Sequence, residues 1–387
     1  VLKKAVDRLW ANNKQAVQCF CDKESYWLED YSLFMSLKSY FGGRPWKEWP
    51  EELRHRERES MSQAKAEMES DILFWKGVQF LFFEQWERLK SLAEAKGISI
   101  IGDIPIYVAE DSSDVWAHSD QFQMDADLHP TRVAGCPPDG FSADGQLWGN
   151  PLFNWEQMRA DGYHWWLHRI SFQFRFYDVL RIDHFRGFDA YYAIPASAET
   201  AKEGTWEAGP GLDFFRAVEK VVGQRPIIAE DLGYLTPEVK TMLAASGYPG
   251  MKIMQFAFDS REPGNYLPYT YTPNSVVYTG THDNVTTEGW RQSASPEDVH
   301  YACRYLRCLP EDLTEAMICA CLASVSDMAI IPMADWLHLG AEARINTPST
   351  QGANWQWRLD TPLTSLLAEH IADLTALYDR IPAAADR

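Results

Sequence analysis

The sequence is short of positive charge. Thirty-six Lys and Arg stand against 55 Asp and Glu, a formal net charge of -19 over 387 residues. Such a chain repels phosphate backbones and anionic headgroups, so nucleic acid and membrane surfaces are excluded as partners and a neutral or cationic one is favoured. Long apolar runs are missing too. Val-Leu-Lys-Lys-Ala-Val-Asp at the N-terminus has no signal core, and the most apolar stretch, residues 317–336, is broken by Asp327 and Pro332. A cytoplasmic protein is expected. Gly-rich phosphate cradles are absent, since Pro210-Gly211 and Gly247-Tyr248-Pro249-Gly250 are turn chemistry. The seven cysteines are odd in number, and neither Cys19 with Cys21 nor Cys319 with Cys321 is followed by a zinc-like partner pair, so reduced thiols are expected and a disulfide framework is not.

Aromatic residues, by contrast, are plentiful, with 16 Trp in an aromatic fraction of 13%. Exposed indoles and phenols stack on sugar rings, although most of these rings are expected to fill the core. Residues 1–93 read as helical, with Val6, Leu9 and Trp10 and then Leu28, Tyr31, Phe34 and Leu37 at helix spacing before a Gly42-Gly43 stop. A charged helix is expected from 51 toward 90. From Gly97 the rhythm changes to short apolar strands at 98–107, 179–183, 226–230, 251–258, 275–283 and 328–336, separated by helices such as 155–177 and 212–222. This is an α/β pattern with a parallel sheet, organised as a helical subdomain over 1–95 and a strand-and-helix region over 96–387, with an inserted loop subdomain at about 108–160. Six strands are two fewer than a closed βα barrel needs.

Four of the strands end at or near acids: Asp103, Asp183, Glu230, and Asp283 in Gly-Thr-His-Asp-Asn. On parallel strands of one sheet, such ends converge on one mouth, and two facing carboxylates are the machinery of glycosidic bond cleavage. Within Val179 to Gly187, alternation puts Arg181 and Asp183 on one strand face, with Leu180 and Ile182 on the other. Beside a fixed cation Asp183 is the better nucleophile; Glu230, after the apolar Ile227, Ile228 and Ala229, is the better proton donor, and Asp231 alternates away as a structural contact. The plainer alternative is a salt bridge at a strand end. His282-Asp283 also admits a metal reading, but His118, His129 and His184 form no ligand pattern with it, and no metal is expected. Asn284-Val285-Thr286 is a formal glycosylation sequon, read as coincidence.

Three motifs carry a family resemblance: Arg181-Ile-Asp-His-Phe-Arg-Gly187, Ala229-Glu-Asp-Leu-Gly233 and Gly280-Thr-His-Asp-Asn284. With the stretches from Asp103 and from Pro137, and with Arg344-Ile-Asn-Thr-Pro-Ser349, they resemble the 4-α-glucanotransferases (amylomaltases, or disproportionating enzymes) of glycoside hydrolase family 77 in the α-amylase clan. The resemblance implies a glycosidase-type (β/α)8 TIM barrel with helical insertions, acting on maltooligosaccharides and α-1,4-glucans without cofactor. It further implies a covalent intermediate on Asp183, acid–base work by Glu230, and Asp283 holding sugar hydroxyls. Arg181, His282, Asp103 and Asn346 would support them, with Phe141 and Trp148 covering the pocket. Gly140 stands where many members carry an aromatic residue. No part of residues 1–93 resembles the family's first strands or its Ser-Pro-Tyr stretch, so a missing N-terminal segment of at least roughly a hundred residues is expected, by the eight-strand barrel. An incomplete barrel would expose strand edges for pairing with such a segment or with another chain, and would leave the chain poorly active alone. Two alternatives use the same residues, an α-glucan hydrolase and a catalytically weak glucan-binding protein.

Overall fold

The computed structural model describes residues 1–138, 143–233, 235–261, 266–348, 350 and 352–381. The fold is α/β, and the chain divides into two compact units. One comprises Val1–Ile227 with Pro237–Ser246, the other Ile228–Thr236 with Gly247–Arg387.

The first unit opens with helices and, up to Ala95, no strand among its described residues. Leu2–Lys23 and Ser25–Tyr40 pack through Val17, Cys21 and Leu28 onto Phe80 of the helix Glu69–Ala95. The single helix expected from 51 toward 90 is three: Glu51–Arg54, Arg58–Glu67 and Glu69–Ala95. Arg56, at φ 55°, adopts the left-handed conformation that ends a helix, and Met68, at φ -109°, interrupts the next. Glu24, 1% exposed, accepts two Arg175 hydrogen bonds of 2.7 Å and ties this region to the helix His164–Phe176.

Strands β1 (Ile101–Ile104), β2 (Arg132–Cys136), β3 (Gln146–Pro151), β4 (Val179–Ile182), β5 (Ala190–Pro195) and β6 (Thr205–Ala208) follow. β1 and β4 run parallel with Asp103 opposite Arg181. Gly102 is required there, because a Cβ would lie 2.0 Å from the Tyr177 ring. The Leu180 N–H donates to the Pro226 carbonyl at 3.0 Å, just before β7 (Ile227–Ala229) takes the chain into the second unit. The other four strands make an antiparallel sheet in the order β3-β2-β5-β6. Within the loop subdomain expected at about 108–160, β2 pairs antiparallel with the nearby β3 and with β5, some sixty positions later. The helix expected over 155–177 is two, Trp155–Ala160 and His164–Phe176, separated where Gly162 and Tyr163 take φ of 74° and 61°.

In the second unit β8 (Gly250–Ile253), β9 (Ser275–Tyr278) and β10 (Met328–Ile330) form a parallel sheet in the order β10-β9-β8. Val277, Met254 and Phe258 pack against Leu313, Met317 and Cys321 of the helix Leu313–Leu322. All six expected strands are thus present, shorter than their apolar runs; β1 pairs parallel with β4, and β9 pairs parallel with β8 and β10. No helix among the described residues is long and apolar enough to cross a membrane. All seven cysteines are free thiols.

Candidate active site

In the first unit the charged end of β4 is organised by one guanidinium. Leu180 and Ile182 are fully buried on one face, while Arg181, 7% exposed, lies on the other. Its Nη1 donates to Asp103 Oδ1 and Oδ2 at 2.8 and 2.6 Å, and its Nη2 lies 2.9 Å from Asp183 Oδ1. The cation is desolvated, whereas both carboxylate side chains remain 41% exposed. The Asp183 N–H donates to the Ile104 carbonyl at 3.0 Å, which fixes the backbone of the carboxylate just past the strand.

His184 comes next, in the left-handed conformation at φ 55°. Trp148, in β3, meets its ring edge-on at a centroid distance of 4.9 Å and lies 6.2 Å from the Tyr107 ring. Burial, with Arg186 adding to it and Asp183 opposing, lowers the His184 pKa to about 4, so the ring is neutral at neutral pH. Phe141 lies outside the described residues.

In the second unit Glu230 follows Ile227, Ile228 and Ala229, all at most 2% exposed, and Glu230 itself is half-buried. One carboxylate oxygen accepts the Leu232 N–H at 2.8 Å, and the Tyr266 phenol lies close enough for its pKa to be raised, by burial first and then by Asp231 and Glu230. Asp231 points into the core at 3% exposure and accepts the Met251 N–H at 2.6 Å, with Lys252 4.0 Å away. It is a structural contact, as its alternation with Glu230 implies.

Asp283 sits in the turn after β9, and a returning segment holds it. Asn346 Nδ2 donates to its Oδ1 at 2.6 Å, Arg344 Nη2 donates to its backbone carbonyl at 2.6 Å, and His282 Nε2 lies 3.4 Å from its Oδ2. The Asn346 N–H donates to the His282 carbonyl at 3.0 Å, and Trp355, 56% exposed, lies 5.0 Å from the His282 ring. Asn284 Oδ1 accepts from the Thr281 N–H and hydroxyl at 2.9 Å each, so this amide braces the turn. Arg344 and Trp355 were not among the expected site residues; the sequence signal for them was their place in two family-like stretches, Arg344-Ile-Asn-Thr-Pro-Ser349 and Asn354-Trp-Gln-Trp-Arg358. Among the described residues no group of three or more His, Cys, Asp or Glu could hold a metal ion.

Each unit thus presents a braced, partly exposed carboxylate at or beyond a parallel strand. The family model described as 4-alpha-glucanotransferase matches residues 1–364. The chain belongs to the 4-alpha-glucanotransferase family. It is 45% identical over 374 residues to the 4-alpha-glucanotransferase of Thermus thermophilus, covering 95% of this chain and 74% of that one. It is 44% identical over 384 residues to that of Clostridium butyricum, covering 98% and 79%. Among solved structures, the amylomaltase of Streptococcus agalactiae in complex with acarbose matches at a TM-score of 0.95 and 38% identity, covering 98% of this chain and 78% of that one.

Proposed function

We propose that the chain transfers α-1,4-glucan segments between maltooligosaccharides by a retaining double displacement, with Asp183 as nucleophile, Glu230 as acid and base, and Asp283 as transition-state support. The double grip of Arg181 on Asp103 and Asp183 carries this reading. It holds a carboxylate rigidly at a strand end while leaving that carboxylate within reach of a ligand.

In the first step an Asp183 oxygen attacks the anomeric carbon, the glycosidic bond breaks, and Glu230 gives its proton to the departing 4-oxygen. In the second, Glu230 takes the proton of an incoming sugar 4-hydroxyl, whose oxygen displaces Asp183. Asp283, braced by Asn346 and flanked by His282, accepts hydrogen bonds from sugar hydroxyls as positive charge builds on the ring. Trp148 and Phe141 would shield the glycosyl ester from water while it waits for an acceptor. The fold we infer is the glycosidase-type (β/α)8 barrel, supported by the parallel pairings of β1 with β4 and of β9 with β8 and β10, and by acids at or just past strand ends. The free thiols are in keeping with a cytoplasmic enzyme.

A hydrolase would use the same three carboxylates, and a weak binding protein would keep them idle; the names of the relatives favour neither. Incubation with maltotriose separates the three. Transfer gives glucose together with maltodextrins longer than the substrate, hydrolysis gives only shorter products, and binding alone gives none. With Glu230→Gln, an activated glucosyl donor should leave a mass adduct on the peptide containing Asp183. An adduct elsewhere, or transfer at full rate by Asp183→Asn, would overturn the assignment.

A further inference from the structure

We propose that His164 and His168, on the outer face of the helix His164–Phe176, form a binding site for a divalent transition-metal ion, Cu2+ in preference to Ni2+ or Zn2+. Residues four apart on a helix lie one turn above each other on the same face, and these two imidazoles meet there. Their Nε2 atoms are 3.1 Å apart and their ring centroids 4.4 Å, at an interplanar angle of 61°. With metal–nitrogen bonds of about 2.05 Å, that separation subtends about 98° at a shared ion, between the right angle of square-planar or octahedral coordination and the tetrahedral angle. The pair is therefore already set for chelation.

Three further observations support the assignment. Both rings are exposed, so an ion reaches them from solvent. The Tyr26 ring packs 4.9 Å from the His168 ring and restrains it. His168 also lines a cavity of about 270 Å³ together with Asp114 and His118, which leaves room for the waters that complete the coordination. Without metal, one ring donates its Nε2–H to the other. On binding, that hydrogen moves to Nδ1 of the same ring, and both Nε2 lone pairs go to the ion with no net proton release from the neutral pair. Imidazole suits copper, nickel and zinc, and copper binds most tightly of the three to a given nitrogen site. The proposed mechanism uses neither histidine.

The test is titration of the untagged chain with CuCl2, read by calorimetry and by electron paramagnetic resonance. One strongly bound ion per chain with nitrogen hyperfine structure is expected. His164→Gln and His168→Gln should each weaken it at least ~10-fold, with loss of one nitrogen, as for other ligand-sphere changes. His300→Gln, at an exposed histidine elsewhere, should bind as wild type. Retention of wild-type affinity by both ligand variants would overturn the site, as would a wild-type stoichiometry no higher than that of a variant carrying His164→Gln and His168→Gln together. Independently of any variant, Zn2+ added to the 15N-histidine-labelled chain should shift the ring signals of these two residues together. A shift confined to other histidines would refute the proposal.

Discussion

The pKa of His184, lowered from its ordinary 6.5 to about 4, makes stability fall on acidification in a defined window. The folded chain resists protonating this ring because burial disfavours its charged form and Arg186 adds repulsion, while Asp183 favours the charged form without outweighing them; Trp148 packs against the ring. Above the unfolded pKa the ring is neutral in both states and contributes no pH dependence. As pH falls below 6.5, the unfolded chain takes up a proton that the folded chain refuses, and stability declines until the folded ring also protonates near pH 4. The full difference is about 3 kcal/mol, at about 1.4 kcal/mol for each pH unit between the two values. His184→Asn removes the titration while keeping a residue that tolerates φ 55°. Urea unfolding of the two proteins, followed by fluorescence from pH 8 to pH 4, should show the wild type losing about 2–3 kcal/mol more than the variant, almost all of it below pH 6.5. Parallel stability curves would refute the reasoning, and so would a divergence that grows above pH 7.

Three further outcomes follow from the geometry. Arg181→Met leaves Asp103 and Asp183 adjacent without their shared cation, and should lower transfer from maltotriose by at least ~100-fold and stability by about 1–3 kcal/mol, the lower part of the range for broken buried pairs because the acids are 41% exposed. Initial rates and urea midpoints check both. Asn346→Ala removes the 2.6 Å hydrogen bond to Asp283, and should reduce kcat about 10–100-fold with the urea midpoint nearly unchanged; a pure rise in KM would assign Asn346 to ground-state binding instead. Gly102→Ala would place a methyl group 2.0 Å from the Tyr177 ring between β1 and the helix His164–Phe176, and should lower stability by about 1–3 kcal/mol, read from the same unfolding curves.

The sequence made six of the strands legible because each is an apolar run between helical patterns; five of the six lie within their expected runs, and Gly250–Ile253 starts one residue ahead of the run at 251–258. The antiparallel sheet was not legible. Its strand Arg132–Cys136 mixes Arg, Gly and Cys, and only pairing with Ala190–Pro195, some sixty positions later, makes it a strand. Helix ends suffered likewise where Arg56 and Tyr163, neither a usual breaker, take positive φ. At the site, the acids could be found from their strand-end positions, but their braces could not. Alternation within one strand places Arg181 beside Asp183, yet it is the register between two strands, Asp103 opposite Arg181, that turns a pair into a fork. That fork bears on the choice between an idle salt bridge and a catalytic carboxylate. A bridge serving stability alone gains little from an arginine that is almost fully desolvated while its acidic partners stay 41% exposed, since the cation's desolvation is then only partly offset. The arrangement is better suited to keeping Asp183 oriented and open to a ligand, which a nucleophile must be.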